Sequence, residues 1–142
     1  TAGSGIIHSE FNPSDKEPVH FLQIWIIPNM LDLRPSYEQK AFNRKSMTNR
    51  LTLLVSPDGH NGSLEIHQDA EIWQILLEEN KDTEFAINHS RKIWIQVAEG
   101  SVSTNEHLLV AGDGLAVSDE EDIIRLRGID KLSNIIIFNL RA

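Results

Sequence analysis

The chain has 142 residues, 40% of them hydrophobic, with a formal net charge of −8 and a sequence pI near 5.1. That length allows one core and not two complete ones, and the acidic balance opposes non-specific binding to nucleic acid or to an anionic membrane face. The absence of cysteine excludes disulfides, thiolate nucleophiles and cysteine-ligated zinc and fits an intracellular, cytoplasmic protein, while no apolar run nears the ~20 residues of a membrane span and no signal peptide is visible.

The first element to matter is Gly5-Ile6-Ile7-His8-Ser9-Glu10. His8 and Glu10 are two apart, so on an extended strand their side chains project from one face. An imidazole and a carboxylate so placed can grip a single divalent metal. After the turn-rich Asn12-Pro13-Ser14, residues 19–27 are almost wholly apolar or aromatic, as expected of a strand covered on both faces. His20 within it reads as a satisfied core histidine. Pro28 ends the strand, because proline cannot donate to a ladder. Residues 29–50 are polar and basic-leaning, a connector with room for a helical turn near 38–42.

From Leu51 the chain becomes a series of short strands. Residues 51–55 run into the turn Ser56-Pro57-Asp58-Gly59, and Asn61-Gly62 is a hairpin signal. Further strands are predicted at 63–68, 71–78, 83–88, 91–98, 101–104, 107–111, 113–118, 122–127 and 133–140. Ile93, Ile95 and Val97 alternate with Trp94, Gln96 and Ala98, a two-residue period. Many short strands with regular turns and almost no helix predict an all-β sandwich or barrel. Residues 118–127 also match residues 1–10 in length and in a double isoleucine, a weak sign of a duplicated domain. In that alignment His8 falls on Arg125 and Glu10 on Arg127, which cannot bind metal.

These words resemble the pirin family, a group of two-domain cupins. The resemblance rests on residues 2–28, Pro35-Ser36-Tyr37-Glu38-Gln39, Ser56-Pro57-Asp58, Gly62-Ser63-Leu64, His67-Gln68-Asp69 and Trp94-Ile95-Gln96-Val97. It is nearest to the bacterial type described as quercetin 2,3-dioxygenase. It implies a cupin jelly-roll barrel at 51–142, a linker at 29–50, and at 1–28 the last strands of an N-terminal, metal-binding cupin. In the family three histidines and a glutamate hold Fe or a similar ion. By carry-over His8 is the third histidine and Glu10 the glutamate, which would also take the flavonol proton.

The His-x-His pair that precedes them in the family is not in this sequence. A chain starting at Thr1 therefore reads as one that begins partway through its first domain, inactive alone because half of its ligands are missing. Fe, or else Ni, Co or Cu, suits such a mixed set, and a flavonol-like molecule would be the ligand of a completed site. Family spacing counted back from Glu99-Gly100, with Val110-Ala111-Gly112-Asp113 as the turn between cupin motifs, puts Ala86, Asn88 and Lys92 at the second barrel's ligand positions. None of them makes a ligand set. His89 falls one residue off and faces the other way.

Other features have plainer readings. Glu65, His67, Asp69 and Glu71 would share one face of a continuous strand as a cation site, but a solvated face is the simpler reading, and a bend at 68–70 would defeat the site. Asp119-Glu120-Glu121-Asp122 reads as an exposed acidic loop or a dock for a basic partner. Trp25, Trp73 and Trp94 read as core residues. Arg125 and Arg127 are expected to pair with acids such as Asp119 or Glu121 rather than to bind an anion. Two functions follow: part of a metal-dependent dioxygenase, or a non-catalytic interaction and regulatory module. In either case residues 19–27 are expected to pair with the C-terminal barrel, a second copy or an N-terminal fragment.

Overall fold

The computed structural model describes residues 1–104, 107–117 and 122–142. Beyond one helical turn, α1 (Arg44–Met47), and a short 3-10 turn at His60–Gly62, its regular structure is all strand. The strands are β1 (Thr52–Ser56), β2 (Leu64–Glu65), β3 (Ala70–Glu78), β4 (Asp82–Ala86), β5 (Arg91–Glu99), β6 (Ser101–Thr104), β7 (His107–Val110), β8 (Gly114–Val117), β9 (Ile123–Gly128) and β10 (Leu132–Arg141). They form a six-stranded sheet in the order β2-β1-β3-β10-β5-β8 and a four-stranded sheet in the order β4-β9-β6-β7. No helix among the described residues is long and apolar enough to cross a membrane.

The two sheets enclose an aliphatic core. Ile75, Leu77, Ile93, Ile95, Val97, Ile135 and Ile137 come from the large sheet, and Phe85, Val102, Leu109, Ile124 and Leu126 from the small one. The period-2 reading of β5 holds, with Ile93, Ile95 and Val97 buried and Trp94 facing outward. β10 differs, because Ile136 is buried as well as its neighbours Ile135 and Ile137. Ala70, Ile72 and Leu76 on β3 are likewise buried yet stand outside the central cluster. The large sheet is thus apolar on both faces, and its outer face needs a cover. Part of that cover is α1, where Met47 is buried and Asn49 N–H donates to Leu76 O at 2.8 Å.

The chain changes sheet at Gly100, whose φ of +74° suits glycine. A Cβ there would lie 2.8 Å from Leu132 O. Buried Ser133 closes the corner: Ser101 N–H donates to its Oγ at 3.2 Å, and its hydroxyl donates to Ser101 O at 2.6 Å.

Four local expectations need correction. The helical turn lies at 44–47 rather than 38–42, because Asn43 supplies the cap by accepting from Lys45 N–H at 2.9 Å. The strand expected at 63–68 shrinks to β2 and the chain bends over 67–69. Asn61-Gly62 does not close a hairpin, since β1 and β2 run parallel, with Val55 opposite Leu64. Left-handed conformations at Gly59, Asn61 and Gly62 turn the chain more than once there, leaving the strands in the same direction. Finally, residues 19–27 are not a strand. They lie by the outer face of the large sheet, which offers side chains and no free backbone edge.

Candidate functional site

Residues 1–36 form a long loop closed at its ends. The Thr1 ammonium donates to Ser36 O at 2.9 Å and Ser36 N–H to Thr1 O at 3.1 Å, while Ser4 N–H donates to Leu33 O at 3.0 Å. Gly3 permits that closure, since a Cβ at this left-handed position would lie 2.0 Å from Leu33 O. Within the loop, where no strand forms, His8 Nε2 lies 3.7 Å from Glu10 Oε1. Both side chains are about half exposed, at 53% and 54%. Beyond them the Asn12–Glu17 turn is held by Ser14 Oγ, which accepts from Glu17 N–H at 2.9 Å.

The next stretch straps the large sheet. His20 Nδ1 lies 3.5 Å from Glu99 Oε1 at one end of the strap. At the other end Gln68 Nε2–H donates to Ile27 O at 2.7 Å and Asn29 N–H to His67 O at 2.8 Å. His20 is therefore exposed, facing Glu99, and not a core histidine. Trp25, expected in the core, is 87% exposed. Both corrections have one cause: in residues 19–27 every side chain but that of Ile26 stays exposed. Trp73 is half-buried, stands edge-on to Phe85 at 6.0 Å and donates its indole N–H to Glu71 Oε2 at 3.0 Å. Trp94 stays 40% exposed on the outer face.

The remaining candidates separate. Among the described residues no group of three or more His, Asp or Glu side chains is placed to hold a metal ion. The bend before β3 divides the acidic set: His67 faces Glu65 at 3.8 Å, Asp69 binds Arg91, and Glu71 accepts from Trp73 and from Asn139 Nδ2–H at 2.9 Å. Ala86 ends β4, Asn88 caps the following turn by accepting from Ser90 N–H at 3.1 Å, and Lys92 is exposed on β5. His89 pairs with Asp122 at 2.8 Å. Arg125 and Arg127 do pair with acids, at Glu84 (2.9 Å) and Asp82 (3.3 Å) on β4. Asp119 and Glu121, suggested as their partners, lie outside the described residues, as do Ser118 and Glu120 of the 118–127 repeat.

One arrangement has no counterpart in the sequence reading. His60 Nδ1 lies 2.6 Å from Asp58 Oδ1, and the His60 amide N–H donates to the same oxygen at 3.2 Å. The ring hydrogen bond, then the amide one, holds the Asp58 carboxyl below the usual carboxylate value. A depressed folded-state value stabilises the turn above the ordinary carboxylate pKa, and the effect is lost as pH falls through the lower folded value. NMR titration should show Asp58 deprotonating below the usual value, and His60→Ala should move it part of the way back up, the amide hydrogen bond remaining. The spacing Asp58-x-His60 was the available signal.

The fold defines a class: a cupin barrel whose interior is filled by aliphatic side chains and Phe85. Comparison with known proteins narrows it. Residues 53–140 match the family model described as the quercetinase C-terminal cupin domain, and residues 1–26 match the model described as pirin. The chain belongs to the pirin family. It is 39% identical over 140 residues to quercetin 2,3-dioxygenase of Escherichia coli strain K12, covering 99% of this chain and 58% of that protein. It is 31% identical over 121 residues to a pirin-like protein of Caulobacter vibrioides, covering 84% of this chain and 52% of that one. The crystal structure of the bacterial pirin YhhW from Escherichia coli in complex with nickel(II) superposes with a TM-score of 0.74 at 32% identity, over 82% of this chain and 48% of that one. The chain thus spans about half the length of the relatives it matches.

Proposed function

We propose that this chain is part of a metal-dependent dioxygenase of the quercetin 2,3-dioxygenase type, to which it contributes two metal ligands, His8 and Glu10. The observation that carries the reading is their juxtaposition, 3.7 Å apart, in a segment that matches the pirin model. The relative's name and the nickel in YhhW support it. Imidazole and carboxylate donors suit Fe, Ni, Co or Cu, and exposure leaves room for further donors.

When bound, such an ion would supply Lewis-acid stabilisation of a deprotonated flavonol. The chain's own part would be to hold the donors through His8 and Glu10 and to move a proton, with the Glu10 carboxylate as acceptor of the flavonol hydroxyl proton. The filled barrel at 53–140 is the structural half. Alone, two donors make a weak site without turnover.

Nickel(II) titration followed by NMR tests this. Weak paramagnetic broadening should centre on His8 and Glu10, vanish in His8→Ala, and be accompanied by no flavonol consumption. Broadening that His8→Ala leaves intact overturns the ligand assignment. Flavonol consumption by the isolated chain that survives Glu10→Gln overturns the assigned proton acceptor.

A second reading, a protein-interaction module, is favoured by the apolar side chains the loop presents to solvent. Ile7, Trp25, Ile27 and Leu31 are each more than 80% exposed, and that surface is what a partner protein would cover.

A further inference from the structure

Three dipeptides in this chain place an aspartate or asparagine before glycine: Asp58-Gly59, Asn61-Gly62 and Asp113-Gly114. Glycine has no side chain to hinder its amide nitrogen from attacking the side-chain carbonyl before it, an attack that closes a five-membered succinimide. The three differ in how that side chain is held.

Asp58 Oδ1 accepts from the Ser56 hydroxyl at 3.2 Å and from the His60 amide at 3.2 Å, and it lies 2.6 Å from His60 Nδ1. These contacts favour the ionised carboxylate, which is a poor electrophile. Asp113 Oδ2 accepts from Val110 N–H at 2.9 Å, and the glycine after it is fixed in β8 beneath the Trp94 ring. Asn61 differs on each count. Its carboxamide carries no charge and has no hydrogen-bond partner among the described residues. Asn61 and Gly62 are both exposed and lie outside the strands, and Asn61 is held in left-handed backbone at a φ of +53°.

We propose that Asn61 is the deamidation site of this chain, asparagine being among the heat-labile residues. The Gly62 amide nitrogen bonds to Asn61 Cγ, the bond from Cγ to the carboxamide nitrogen breaks, and ammonia leaves with the proton of the Gly62 amide. Water then opens the ring. Opening at the main-chain carbonyl leaves isoaspartate, with one more methylene in the backbone; opening at the side-chain carbonyl leaves aspartate. No group is oxidised or reduced. Attack requires Asn61 to rotate away from its ψ of 22°. Among the contacts that must yield are Lys40 Nζ donating to Gly62 O and Ser63 N–H donating to His60 O at 3.1 Å. The product alters the parallel link between β1 and β2. It adds a carboxylate near the Lys40 ammonium and disturbs Ser63, whose hydroxyl lies 2.7 Å from that of buried Ser56.

The full chain, incubated folded in mildly alkaline buffer and then digested, tests this by peptide mass spectrometry with enzymatic carboxyl methylation of isoaspartate. Most of the product should carry isoaspartate or aspartate at 61, with 58 and 113 unchanged. Asn61→Gly suits the left-handed turn and should remove the isoaspartate signal while the circular dichroism stays that of the parent. Amide signals of residues 60–65 should shift in proportion to conversion while those of β5 and β10 stay fixed. Isoaspartate forming as fast at 58 or 113, asparagine persisting at 61, or an undiminished signal in Asn61→Gly overturns the proposal.

Discussion

Gly128→Ala should destabilise the barrel by about 3 kcal/mol. Gly128 is buried at the end of β9, opposite Val102 of β6, beneath the turn that joins β3 to β4. A Cβ there would lie 2.2 Å from Glu78 O and 2.9 Å from Glu78 C. Both atoms are backbone, so no rotamer change can relieve the contact. The turn must move, yet it is pinned by Asn80 N–H donating to Gly128 O and Gly128 N–H donating to Lys81 O, each at 2.9 Å. Urea unfolding should show a lower midpoint at unchanged slope. A loss under about 0.5 kcal/mol would mean that the turn gives way freely.

Ile137→Ala should cost about 4 kcal/mol, near the upper part of the range for buried isoleucine. Ile137 is fully buried on β10, the strand with neighbours on both sides, facing Trp73 on β3 and Ile95 on β5. A rigid sheet limits how far the cavity can collapse. Ile136→Ala is the informative contrast, because that side chain faces the opposite way, toward the cover supplied by residues before β1. Equal losses for the two would show that the outer layer is as firmly packed as the inner one.

The barrel was legible because its strands carry a two-residue period and its turns carry glycine, proline and asparagine. β5, β6, β7 and β10 lie within a residue or two of the expected positions. The spacing of His8 and Glu10 anticipated that their side chains would lie close together, 3.7 Å apart, though not on the expected strand. Residues 19–27 misled because an apolar run has no period to distinguish a strand inside a sheet from a strap laid on one. That confusion carried His20 and Trp25 into an imagined core. The arginines were expected to pair, but the partners were sought nearby in sequence, whereas antiparallel pairing brings Glu84 opposite Arg125 and Asp82 opposite Arg127. Long-range register of that kind is not written in local pattern.

Burial on both faces of β10 removes a safeguard that most strands possess. In a one-sided strand, slippage by a single residue turns the greasy side outward and is punished at once. Here Ile135, Ile136 and Ile137 would exchange one apolar setting for another. Alignment must then be enforced by the hydrophilic residues toward the two ends. Ser133 locks to Ser101, Asn134 Oδ1 accepts from Gln74 Nε2–H at 2.7 Å, and Asn139 accepts from Arg91 Nε–H at 3.0 Å while donating to Glu71. These few amides and a hydroxyl act as index pins: they add little to the energy of the fold and choose which of several equally oily alignments becomes the native one.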